Sequence, residues 1–144
     1  MSQYQHVMFA IDFGQEAGEL IAKVVDRARS EEGKFSVMNL DYTLEKPYHA
    51  IFDIDIEKAC EVVGKGGIHT VVDLLKGCDY SLEDCTRNSD DLALTLTVPE
   101  TIDEYKVDLL MMGHHHYSWL GELTTSAAEP VVRKMPCDIL LFKM

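Results

Sequence analysis

Three histidines stand in succession at His114, His115 and His116, directly after Gly113. Imidazoles bind metals and carry protons near neutral pH, so this run is the first place to look for chemistry. Histidines that share a metal usually stand four apart on a helix or two apart on a strand, where they face one way. Three in a row point in different directions, and no Cys or Glu neighbour completes a ligand set. The run reads as polar loop residues, with a metal-sensing loop as the weaker alternative.

Nucleophilic catalysis finds no better support. There is no Gly-x-Ser-x-Gly elbow, and Ser118 and Ser126 lie in no triad context. The four cysteines, Cys60, Cys78, Cys85 and Cys137, form no Cys-x-x-Cys pair and read as reduced intracellular thiols. Asp12 closes an apolar run; it could take a ribose hydroxyl or a metal, or cap a helix that begins near Gln15. Asp41 ends a second apolar run and is a further cleft candidate. Thr124-Thr125-Ser126 stands at a helix start, where capping is the first reading and receipt of a phosphate the second. Tyr117 and Trp119 could stack on a ligand or pack over a helix, and packing is the commoner use. No catalytic constellation emerges, and the expected function is non-enzymatic.

The elements that would position these residues alternate along the chain. Residues 6–12 and 35–41 are nearly continuous apolar runs, as expected of parallel strands covered on both faces. Between them, residues 15–32 carry Ala17, Leu20, Ile21, Val24, Val25 and Ala28 at helical spacing, and Gly33 reads as the stop. Residues 42–55 read as a connecting segment. Residues 56–76 read as a helix weakened or broken at its centre by Gly64, Gly66 and Gly67. Residues 81–88 are polar and fit an edge strand at most. Residues 92–98 alternate with period two and so favour a strand before Pro99, although one kinked helix over 91–105 competes. Residues 107–112 are another buried strand and residues 137–142 a last strand, with a helix over 123–134 between them. This is the pattern of a doubly wound α/β sheet with helices on both faces, whose ligands bind beyond the carboxyl ends of the strands. Asp12 and Gly113 both fall at such ends.

The bulk properties bound the function. A chain of 144 residues suits a single domain over 1–144 with a core that needs no staples. No apolar run approaches the roughly 20 residues of a membrane span, and the opening Met1-Ser2-Gln3-Tyr4-Gln5 does not read as a signal peptide. The expected location is the cytoplasm. With 25 acidic against 13 basic residues the formal charge is −12, which repels phosphate backbones and argues against direct nucleic-acid binding.

At this point the chain resembles the universal stress protein family nearly end to end. Residues 6–12 look like that family's first strand with its terminal Asp, and residues 37–41 like its second. Most specific is Val107-Asp108-Leu109-Leu110-Met111-Met112-Gly113-His114-His115, similar to the family's fourth strand. The Gly-His-His continuation followed by Trp119 is similar to the A subgroup, which does not bind ATP. The resemblance implies an adenine nucleotide alpha-hydrolase-like fold, a five-stranded parallel sheet of order 3-2-1-4-5. It also implies a helix opened by Asp91 and ending near Tyr105, and a homodimer formed through Ile139, Leu140, Leu141 and Phe142 of the last strand. The expectation is a phosphoprotein acting through protein partners, and members of this kind are linked with survival under starvation and DNA damage.

Nucleotide-binding members carry Gly-x-x-Gly-x9-Gly-Ser or Gly-Thr, because bare backbone lets amides approach phosphates at a helix N-terminus. Here Gly113 is retained, but His116 and Ser126-Ala127 hold the other positions. A Cβ at both obstructs the approach. The expectation is no cofactor and no tightly held triphosphate. Asp12, Asp41, Gly113, His114, His115, His116 and Ser126 remain as candidates of a residual cleft. The alternative is an ATP-binding domain with a divergent phosphate loop.

Overall fold

The computed structural model of the chain describes residues 4–39, 51–81, 102–114 and 137–143. Five strands form one sheet in the order β3-β2-β1-β4-β5. They are β1 (His6–Ile11), β2 (Lys34–Asn39), β3 (Ile51–Ile54), β4 (Leu109–His114) and β5 (Asp138–Lys143). Three helices, α1 (Gly18–Arg29), α2 (Ile56–Lys65) and α3 (Val71–Gly77), complete the described elements.

The unbroken apolar character of β1 has its reason in the sheet. All six of its residues are buried, and successive side chains enter different cores. Val7, Phe9 and Ile11 pack with Val37, Leu109 and Met111 against the buried residues of α1, α2 and α3. Met8 and Ala10 pack with Met38, Leu110 and Met112 on the opposite face, together with Ile102 and Val107. Both faces of the central strands are covered, as expected of parallel strands. The helices expected on that second face, over residues 91–105 and 123–134, lie outside the described residues apart from a helical turn at 102–104.

The strand order is the expected one, but one strand departs from the expected direction. β1 pairs in parallel with β2 and β4, and β4 with β5. β3 is antiparallel to β2, with Phe35 opposite Ile54 and Met38 opposite Ile51. It falls inside the segment read as a connection, because four residues followed at once by the α2 cap leave little pattern to detect. An antiparallel return also needs no crossover helix, so β2 and β3 can be joined without one.

Two helix boundaries also differ from the reading. α1 starts at Gly18 instead of near Gln15 and ends at Arg29, with Ser30 as its C-cap. Glu19 in its first turn and Arg27 and Arg29 in its last complement the helix dipole. Gly33 therefore does not stop the helix. A Cβ on it would collide with the main chain of Tyr4 and Gln5, and the next amide, Lys34, donates to the Gln5 carbonyl at 2.8 Å. Gly33 lets β2 begin tight against the chain entering β1. The helix expected over 56–76 is indeed two helices, separated at Gly66 and Gly67, whose φ angles are +82° and +83°. Asp55 caps α2 by accepting the Glu57 amide, and Thr70 and Asp73 form a capping box on α3.

Candidate functional site

The sheet order reverses around β1, with β2 on one side and β4 on the other. Ala10 pairs with Met112, so Asp12 and Gly113 leave the sheet at the same end. This is the carboxyl-end crevice where doubly wound sheets take ligands. His114 is the last residue of β4 and pairs with Lys143. The structure thus brings together Asp12, Gly113 and the backbone of His114. Asp41, His115, His116 and Ser126 lie outside the described residues, as do Trp119 and Cys85.

The turn after β1 is held by two side chains. Asp12 Oδ1 accepts the Gly14 amide at 2.9 Å, and the Asp12 carbonyl accepts the Gln15 amide at 3.0 Å. This is an Asx-type turn. Asp12 does not cap α1, whose N-cap is Ala17 with no side-chain cap. From β2, Asn39 Oδ1 accepts the Phe13 amide at 2.8 Å. Asn39 escaped the sequence reading; its only signal there is a polar side chain inside an otherwise apolar run. It stands opposite Ile11 in the β1–β2 register and bridges the strands where they open. Below the turn, Phe13 is buried with its ring 5.9 Å from that of Phe52, which meets Tyr80 edge-on at 5.2 Å. The candidate turn therefore sits on an aromatic floor.

The opposite end of the sheet explains the most specific piece of sequence. Asp108, in the apolar-Asp-Leu pattern, accepts the Gln5 and His6 amides on its two oxygens, each at 2.8 Å. Its own amide donates to the His6 carbonyl at 3.1 Å. This carboxylate docks the start of β4 on the start of β1 and belongs to the scaffold. His6 is buried beside it. Its Nδ1 donates to the Tyr105 carbonyl at 2.9 Å, which leaves Nε2 to accept from the Ser36 hydroxyl at 2.6 Å. Tyr4 completes this end by donating from its hydroxyl to Asp138 at 2.8 Å.

The thiols are not poised for reaction. Burial pushes the Cys78 thiol above its ordinary range, and it pushes Cys137 up to about 11. Both are therefore protonated near neutral pH. Among the described residues no group of three His, Cys, Asp or Glu side chains could hold a metal ion. A polar cleft of about 470 Å³ opens away from the crevice, beside β3, lined by Asp53, Asp55, Lys58, Cys78, Asp79 and Tyr80. The sequence reading did not mark it.

Comparison with known proteins now adds to this geometry. Residues 89–143 match the model of the universal stress protein family. The sheet order agrees with that family's α/β fold, and the chain is similar to the family. Within it, the chain is similar to proteins named universal stress protein A. It is 27% identical to the universal stress protein A homolog of Haemophilus influenzae, over 96% of this chain and 95% of the relative. It is 28% identical to the homolog of Pasteurella multocida over the same shares, and 25% identical to universal stress protein A of Escherichia coli, over 96% and 93%.

Proposed function

We infer that the chain is a non-enzymatic stress-response protein of the universal stress protein A type, acting in the cytoplasm as a homodimer in resistance to starvation or DNA-damaging stress. The whole-length likeness to proteins of that name carries the reading. Burial holds the Cys78 and Cys137 thiols protonated near neutral pH, and Asp12 Oδ1 accepts the Gly14 amide.

The contrast between the two outer strands supports pairing through β5. β3 has four residues, and the Tyr80 hydroxyl donates to its Asp53 carbonyl. Asp53 and Asp55 add charge, and short charged edges resist further pairing. β5 has six residues, with Leu141 40% exposed and Ile139, Leu140 and Phe142 half-buried. A second copy aligned on this strand would cover them. Sedimentation across a range of concentrations tests the dimer, and Leu141→Asp should shift it to monomer with unchanged circular dichroism. A native chain that stays monomeric throughout sinks the reading.

The competing function, ATP binding, draws on Asp12 and Gly113 at the crevice. Against it stand His116 and Ser126-Ala127 where phosphates need bare backbone. Calorimetric titration with ATP and magnesium separates the two: micromolar binding establishes the nucleotide reading. In the source organism, deletion of the gene should reduce survival after starvation or DNA damage.

A further inference from the structure

The linker between α2 and α3 is built differently at its two ends. Gly66 and Gly67 occupy positive φ, a region that strains any residue with a side chain. A Cβ on either would meet nothing within 4 Å. These glycines serve backbone conformation and not close packing, which is what a hinge requires. The other end is fastened to α3. Asp73 Oδ2 accepts the His69 and Thr70 amides at 3.0 and 3.1 Å, and Thr70 Oγ1 accepts the Asp73 amide at 3.2 Å.

Between hinge and fastening, the linker lies on the start of α1. The Ala17 amide donates to the His69 carbonyl at 2.8 Å. The Ile68 carbonyl approaches Gly18 so closely that a Cβ there would stand 2.8 Å from it. α1 has no side-chain cap, and the His69 main-chain carbonyl serves the amide of its N-cap residue Ala17. A carbonyl oxygen at that place complements the positive end of the helix. The Val72 amide reaches the Phe13 carbonyl at 3.4 Å, so the turn that carries Asp12 is also held from this side.

We propose that residues 66–70 form a hinged strap that caps α1 when closed, lies beside the Asp12 turn that α3 holds through Val72, and opens about Gly66 and Gly67 without unfolding the sheet. Gly66, Gly67 and His69 are exposed, and Ile68 is half-buried against the core, so opening uncovers one apolar side chain and costs far less than unfolding the sheet.

Amide hydrogen exchange followed by NMR on the full chain tests the strap. In the native protein the Ala17 amide should exchange at least about tenfold faster than those of Met8 and Phe9 in β1. Asp73→Ala removes the fastening and should accelerate Ala17 by about fivefold or more beyond any acceleration of Met8 and Phe9 that its lower global stability brings. It should also move the Gly14 amide resonance, which reports the Asp12 turn, and leave that of Lys34 at the far end of the sheet in place. Gly67→Ala is the second variant. It touches nothing, strains the closed form, and should act in the same direction. Ala17 exchanging at the rate of β1, or both variants accelerating every amide alike, overturns the proposal.

Discussion

At the scale of single residues, the side chains that hold this domain together are carboxylates placed on main-chain amides. Asp108 is the leading case, with one amide on each oxygen. Hydrogen bonds to a charged group are each worth about 1.5–3 kcal/mol, and removing the acceptor strands two donors at the head of β1. Asp108→Ala should cost about 2–4 kcal/mol, read as a lowered urea midpoint with unchanged slope. Asp108→Asn keeps one acceptor and should cost about half as much. Asp73 gives a pH signature. Its carboxyl is held below the usual range, first by the His69 amide and then by the Thr70 amide and hydroxyl, against the opposing effect of burial. A depressed folded pKa stabilises above the unfolded value, near pH 4, and that share is lost as pH falls through the folded value. Asp73→Asn should therefore lower stability at neutral pH and flatten its decline below about pH 4, as followed by thermal melts from pH 7 to 2.5.

At the scale of elements, close approach between chains matters as much as pattern. Gly33→Ala should destabilise by about 1–3 kcal/mol, because the new methyl meets main chain that cannot rotate away. Thermal or urea unfolding checks this; an unchanged midpoint would mean that the β1–β2 entry can spread at no cost. The same glycine shows what a sequence conveys and what it withholds. The buried strands β1, β2 and β4 were legible, because residues covered on both faces are largely apolar, and β5 was legible as a short apolar run after Pro136. So was the break at Gly66 and Gly67, where two glycines interrupt a helical pattern. The role of Gly33 was not, since a stop signal and a close-approach signal are the same letter. β3 was hidden by its brevity and its direction. At the site, Asp12 and Gly113 could be placed at strand ends, but the bridge from Asn39 to Phe13 depends on the β1–β2 register, which periodicity does not specify. The motif around Asp108 was recognisable, yet its scaffold role emerged only from the two amides it accepts.

At the scale of the whole molecule, charge acts on any association. Each chain carries a formal −12, so two copies brought together repel. Salt screens exposed charges over a Debye length of about 10 Å at 0.1 M and 3 Å at 1 M. The proposed pairing through β5 should therefore tighten as ionic strength rises, measurable as a falling dissociation constant between about 0.05 and about 0.5 M salt. A weakening with salt would point instead to ion pairs at the interface. The unlike rims of the sheet carry one more consequence. A sheet receptive on both rims can add copies without end, and that is how fibres grow. Among the described residues the Tyr80 hydroxyl and two aspartates guard the β3 rim, and the proposed attachment is at β5. Two copies joined there about a two-fold axis would consume it, and the assembly would terminate itself.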